Sequence, residues 1–474
     1  MLITPFLSDF SFFGNPLLKL VQDLSHTKLT DGAIAQLLDD LSDYAANFPY
    51  ESDTASLLRV TRRIVDQASQ VPSSFMAVFS HHRAQSYHNW AKARAENNFT
   101  LVQADLEKTL ELSREWANFF PGYDHIADPL IDAADYGMKA ATIQAIFSEL
   151  RSQLVPVVQA ITAQPPSDDA CLKQVYPEAE QLAFSLDVIR QMGFDLRRSR
   201  QDKTLHPFMT NFSIDDVRIT TRVKEQDLSE CLFSTIHEMG HAFYELGNPP
   251  AFENTPLAGG ISSGVHESQS RLWENMVGRS RVFWHHFYPK LQATFPSQLA
   301  DVPLETFYRA INKVARSLIR TDADEVTYNL HVMIRFDLEL ALLTGELAVK
   351  DLPAAWNARY ESDLGIVPDS DSNGVLQDVH WYGGRIGGAF QGYTLGNLMS
   401  AQFFDAALIE HPEIPTQIEQ GEFSTLATWL KTNIYQHGRK FTAAEMVQRV
   451  TGKPLSTEPL MRYIHQKFGG LYSL

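Results

Sequence analysis

His237 and His241 stand four residues apart, with Glu238 beside the first, in a stretch from Ser234 to Tyr244 whose only helix breaker is Gly240. Residues four apart in a helix lie one above the other, about 5.4 Å along the axis. A chain that folds this stretch as a helix can aim both imidazoles at one metal ion. Glu238 then projects close enough to take a proton from water that the metal activates. The bland alternative is two half-buried histidines on an amphipathic helix, with Glu238 solvated.

A catalytic zinc site needs three protein ligands and an open position. Cys171 and Cys231 are far apart in sequence, and Cys231 falls roughly on the opposite side of the histidine helix. The better source is the helical stretch that starts near Gly264 and contains His266 and Glu267, reached through a loop with Gly247, Pro249, Pro250, Gly259 and Gly260. Either His266 or Glu267 can supply the third ligand on this reading. The competing role for Glu267 is an i,i+4 ion pair with Arg271, worth a few tenths of a kcal/mol.

The rest of the chain reads as mainly α. Apolar residues recur every three or four positions over 29–48, 55–70, 75–95, 102–118, 139–162, 177–193, 228–246, 264–283, 304–320, 323–348 and 390–409. Leu154-Val155-Pro156-Val157 predicts a kink or break in one of these. Asp216 to Val223 alternates and is β-branched, so it reads as a strand. With no linker or repeat in 474 residues, the expectation is a single domain. Within it, residues 1–200 form one helical wall and 201–474 carry the chemistry. A net charge of −17 argues against nucleic acid as a partner. Two cysteines give no disulfide framework and fit a reducing cytoplasm. Leu2 to Phe13 is apolar but is preceded by no basic region and interrupted by Asp9, so neither a signal peptide nor a membrane span is expected.

Six short motifs in fixed order carry a family resemblance: His206-Pro207-Phe208, Asp216-Val217-Arg218-Ile219-Thr220, His237 to His241, His266-Glu267-Ser268-Gln269, Ile319 to Asp324 (IRxxAD), and Gly374 to Trp381 (GxxQDxHW). Together they resemble the carboxypeptidase Taq family of metallocarboxypeptidases. The resemblance implies a large helical body with a deep substrate groove and a small β-sheet next to the zinc helix. It selects Glu267 over His266 as third ligand. It implies one divalent metal per chain, Zn²⁺ first, with Co²⁺ or Mn²⁺ compatible with the ligand types. It further implies peptide substrates with a free C-terminal carboxylate, broad specificity with Pro and acidic ends poor, a homodimer, and a groove that opens by hinge motion. Two departures stand out. The Trp-Asp pair usual early in the family is not found near Met1-Leu2-Ile3-Thr4-Pro5-Phe6, and Arg385 occupies a Gly-rich run after His380-Trp381.

Water attack on a carbonyl also needs an oxyanion donor. His380 is the first candidate, with Asp378 to orient or charge it, and Tyr393 is the second. A free carboxylate is best held by an arginine fork. Arg218, Arg320 and Arg335 are the candidates, each with a competing ion pair, to Asp216, Asp324 and Glu339 respectively. Asp324 is alternatively an acceptor for a ligand imidazole. His81, His82, His88, His285 and His286 lack ligand spacing and read as surface or interface residues. Two rival functions remain at this point. An oligoendopeptidase would need no carboxylate clamp, and a non-catalytic metal- or peptide-binding relative would have no use for Glu238.

Overall fold

The computed structural model describes residues 24–473. The expectations for Leu2 to Phe13 lie outside them. The architecture is mainly α with one three-stranded sheet. Most predicted helices form within a few residues of their expected limits, among them Asp53–Gln70, Ser73–Ala95, Gln103–Asn118, Glu178–Gln191, Leu228–Leu246 and Gln391–Glu410. One contiguous apolar cluster runs from Val71 to Tyr472 and draws on both parts of the chain, as where Phe147 meets the ring of Phe336 edge-on at 5.1 Å. No helix among the described residues is long and apolar enough to cross a membrane. Both cysteines are buried and free.

Four helix expectations need correction, and each has a local cause. The break at Pro156 does not occur: Ala140–Thr162 is one helix with the proline inside it. Leu150, Leu154, Val157, Val158 and Ile161 are buried along its face, and that packing outweighs one lost backbone bond. The helix predicted over 304–320 stops at Ile311. Beyond it side chains take the amides a helix would use: Val314 N–H donates to the Tyr472 hydroxyl and Ala315 N–H to Asp324. The helix predicted over 323–348 starts at Tyr328 and ends at Thr344, where Gly345 adopts φ +85°. The helix predicted over 264–283 is α only for Ser263–Arg271, turns π over Leu272–Gly278, and gives way to a new helix, Arg281–Thr294, whose cap is Ser280.

The sheet is β1 (Ser199–Lys203), β2 (Met209–Ser213) and β3 (Asp216–Thr221), with β3 central, parallel to β1 and antiparallel to β2. Val217, Ile219 and Thr221 on β3 are buried, while Asp216, Arg218 and Thr220 alternate to the other face. The buried face lies beside Leu228–Leu246. Thr235 of that helix bonds Thr221 at 3.1 Å and receives Gln201 of β1 at 2.8 Å. The expected sheet beside the histidine helix is therefore present. β1 and β2 are polar, poorly patterned edge strands that periodicity does not flag.

Candidate active site

Three helices meet at the histidines, and two glycines allow it. A Cβ on Gly240 would lie 2.6 Å from the Gln269 carbonyl oxygen and the Ser270 Cα, so helix Leu228–Leu246 and helix Ser263–Arg271 touch backbone to backbone. A Cβ on Gly396 would lie 2.7 Å from Glu267 Cβ and Cγ, which lets helix Gln391–Glu410 close the third side. Ser262 caps the middle helix by accepting from Val265 N–H.

Among the described residues one group of side chains has metal-ligand geometry: His237, His241 and Glu267, with one ligand atom from each within 4.8 Å of the others. Glu267 Oε2 lies 3.7 Å from His237 Nε2 and 3.4 Å from His241 Nε2. Both imidazoles are turned by a partner on the far nitrogen. His237 Nδ1 lies 2.9 Å from Glu274 Oε2. His241 Nδ1 lies 2.6 Å from His266 Nδ1, and His266 Nε2 lies 3.0 Å from Glu245 Oε1. Glu245 is an acceptor, so His266 donates from Nε2 and receives the His241 Nδ1 proton at its own Nδ1. His237 likewise donates to Glu274. Both chains leave Nε2 lone pairs facing Glu267, and this donor set fits a divalent cation. His266, the alternative ligand, thus orients His241 instead.

Burial pushes the Glu267 carboxyl up, but Arg271, His237 and His241 overcome it and hold the group ionised, below the usual carboxylate range. Arg271 Nε donates to Glu267 Oε1 at 2.7 Å while Oε2 faces the histidines, so the i,i+4 pair leaves the second oxygen turned toward both imidazoles. Burial opposes ionisation of Glu274 as well, and Arg271, His237 and Arg279 bring it down to about 2. Burial lowers His241 to about 4. Glu238 is buried, and desolvation pushes it up to about 7, with His237 pulling the other way. A carboxyl poised there can both accept and return a proton.

A second group surrounds Asp378. Its carboxylate accepts Arg320 Nε and Nη2, both at 3.0 Å, and Arg335 Nε at 2.6 Å. Against burial, Arg320 and then Arg335 hold it well below its ordinary pKa. His380 Nδ1 lies 3.3 Å from Asp378 Oδ1, and His380 Nε2 lies 3.3 Å from the Tyr393 hydroxyl. Tyr328 joins the two groups. Its hydroxyl accepts from Arg320 Nη1 at 2.8 Å, and the Arg271 guanidinium sits 4.5 Å over its ring.

Two of the three competing arginine ion pairs do not form. Arg320 bonds Asp378 rather than Asp324, and Arg335 bonds Asp378 and Gln377 rather than Glu339. Arg335 is fully buried, with its guanidinium also donating to the His331 carbonyl and the Tyr360 hydroxyl. Arg218 does form the pair with Asp216, on the exposed side of the sheet. Asp324 does not serve a ligand imidazole: its oxygens accept from Ala315, Val326 and Thr327 amides and the Thr327 hydroxyl, and the acceptor for His237 is Glu274. Arg385 lies over the Trp116 ring at 4.1 Å. The remaining histidines stay outside the metal group: His82 meets Thr109, His285 meets Glu419, and His286 meets Gln191.

Sequence reasoning missed Glu274, the His266–Glu245 pair and Tyr328. Glu245 lies four residues beyond His241 and so shares its face, which was a usable signal. Glu274 lies seven beyond Glu267, and the π segment sets its direction.

The sequence profile of the family described as carboxypeptidase Taq (M32) metallopeptidase matches residues 16–468. The thermostable carboxypeptidase 1 of Thermus thermophilus is 38% identical over 459 residues, covering 95% of this chain and 90% of the relative. A crystal structure of an M32 carboxypeptidase from Deinococcus radiodurans superposes with a TM-score of 0.93 at 48% identity, over 96% of this chain and 91% of that one. A Pyrococcus furiosus carboxypeptidase structure, titled Apo-Mg, gives 0.90 at 33% identity, over 94% and 90%.

Proposed function

The chain belongs to the carboxypeptidase Taq (M32) metallopeptidase family, and from that premise we propose that it releases single C-terminal amino acids from peptides, with Glu238 as the proton carrier. The observation that carries this reading is the convergence of two Nε2 lone pairs and one ionised carboxylate beside the buried carboxyl of Glu238. A divalent cation held by His237, His241 and Glu267, Zn²⁺ by preference, supplies Lewis acidity toward water and the scissile carbonyl. Co²⁺ and Mn²⁺ suit the same nitrogen and oxygen donors.

Glu238 takes the proton of the attacking water and returns it to the leaving amine. His380, held against Asp378, and Tyr393 donate to the developing oxyanion. Arg320 receives the substrate carboxylate. A guanidinium has five N–H groups, and the three bonds to Asp378 and Tyr328 leave two to donate. Broad side-chain preference, a groove that opens by hinge motion, a homodimer and a cytoplasmic location complete the proposal. Light scattering tests the dimer.

The decisive experiment compares peptides with free and amidated C-termini, using Zn²⁺-loaded protein and a Glu238→Ala control. Release from free acids alone, lost in the variant, is the expected result. Internal cleavage of the amides would establish an endopeptidase instead.

A further inference from the structure

Glu274 reaches His237 from the π segment Leu272–Gly278, and the next residue shows what holds that segment in place. The backbone N–H groups of Arg279 and Ser280 both turn to the Val277 carbonyl. The Asn275 carbonyl therefore receives neither of the amides that would follow it in a continuing helix. Two side chains of the C-terminal helix, Glu458–Tyr472, fill the gap: the Tyr463 hydroxyl at 3.0 Å and Lys467 Nζ at 3.4 Å. Lys467 spends its other two protons on the Tyr463 hydroxyl at 2.9 Å and on Glu325 Oε2 at 2.7 Å. Its side chain and that of Glu325 are each only 7% exposed.

A buried ion pair contributes little net stability compared with apolar packing of the same volume. Its effect here is geometric. One ammonium fixes three elements at one point: the π segment beside Glu274, the turn that runs from Arg320 to Tyr328, and the C-terminal helix. We propose that Lys467 is a positioning residue for the metal site, acting through the Asn275 carbonyl to hold Glu274 against His237. The C-terminal helix, remote in sequence from every ligand, thereby sets metal affinity. This inference rests on the metal reading above.

Zn²⁺ affinity measured by chelator competition tests it in the full-length protein. Lys467→Met weakens binding about tenfold, within the range for loss of an outer partner of a ligand histidine. In a Glu274→Gln background the same change has a clearly smaller effect, because the contact it positions has already lost its charge. Tyr463→Phe, a smaller change that leaves the lysine in place, weakens binding about threefold if the carbonyl contact matters. Equal losses in both backgrounds would show general destabilisation and overturn the inference. So would unchanged affinity in both Lys467→Met and Tyr463→Phe. Should Lys467→Met fail to fold, Tyr463→Phe with and without Glu274→Gln decides by the same criterion. Wild-type protein that takes up no Zn²⁺ sinks the metal reading too, whereas normal wild-type binding with unaffected variants overturns this inference alone.

Discussion

The metal half and the arginine half of the site are built differently. His237, Glu238, His241 and Glu267 project from two helices locked together by Gly240, and each of the three proposed ligands has an outer partner. Arg320, Asp378 and His380 come from turns or a single helical turn, and one carboxylate, Asp378, serves two arginines and touches a histidine. In the first half the outer partners are spread over several groups, with Arg271 touching both Glu267 and Glu274. In the second, Arg320, Arg335 and His380 all share the Asp378 carboxylate. Regular elements fix direction by periodicity, while a shared buried carboxylate fixes it by charge balance, and the two respond to substitution in different ways.

The sharpest test of the contrast is Glu238→Gln. It keeps shape and burial but removes the proposed proton carrier, so turnover should fall on the order of 10³-fold with Zn²⁺ still bound at one per chain. Loss of the metal along with activity would mean that the two functions of this half are not separable. Glu274→Gln comes next. The amide oxygen can still accept from His237 but carries no charge, and Zn²⁺ affinity should drop roughly 10- to 100-fold. Isothermal titration with chelator competition measures it, and unchanged affinity would remove Glu274 from the site.

The same contrast explains what was legible in the sequence. The i,i+4 spacing of His237 and His241 is a local property, so the helix and the facing imidazoles follow from it. Glu267 needed the motif, since nothing local says that helix Ser263–Arg271 crosses at Gly240. The arginine partners are not legible locally: proximity in sequence offers Asp324 and Glu339 as alternatives, whereas the structure brings Asp378 from more than forty residues away. Glu274 was hidden by the π segment, which changes the angular step that any helical pattern assumes. The edge strands β1 and β2 were hidden because their pairing with β3 outweighs a polar, unpatterned sequence.

Glu339 offers a test of the arginine half that leaves catalytic groups untouched. It is fully buried, accepts the Trp381 indole N–H at 2.8 Å, and desolvation pushes its pKa up to about 7. In the unfolded chain it titrates near 4.5. Between these values the unfolded state has lost a proton that the folded state keeps. Stability contributed by this group is therefore full below about pH 4.5 and is lost as pH rises through about 7. The span corresponds to roughly 3 kcal/mol at most. Glu339→Gln keeps an acceptor for Trp381 and should remove that slope, making the variant more stable than wild type at pH 8 in urea unfolding. Parallel wild-type and variant profiles would mean that the charge around Asp378 already compensates.

The smallest effect is expected at Arg218, and its smallness is informative. The residue belongs to one of the six motifs, yet its guanidinium is spent on Asp216 at 2.8 and 2.7 Å and stacks 4.8 Å from the Phe212 ring, on the exposed side of β3. An exposed pair of this kind is screened by solvent and contributes little to stability. Arg218→Ala should leave the ratio of free-acid to amide hydrolysis unchanged and shift KM by less than about threefold. Arg320→Met should collapse that ratio, because it removes a guanidinium that sits 5.1 Å over the Tyr393 ring and has N–H groups left to donate. If Arg218→Ala collapses it instead, the carboxylate is held at the sheet and the division of labour between the two halves is wrong. The sheet face would then be part of the substrate site, and Arg320 would serve only to neutralise Asp378.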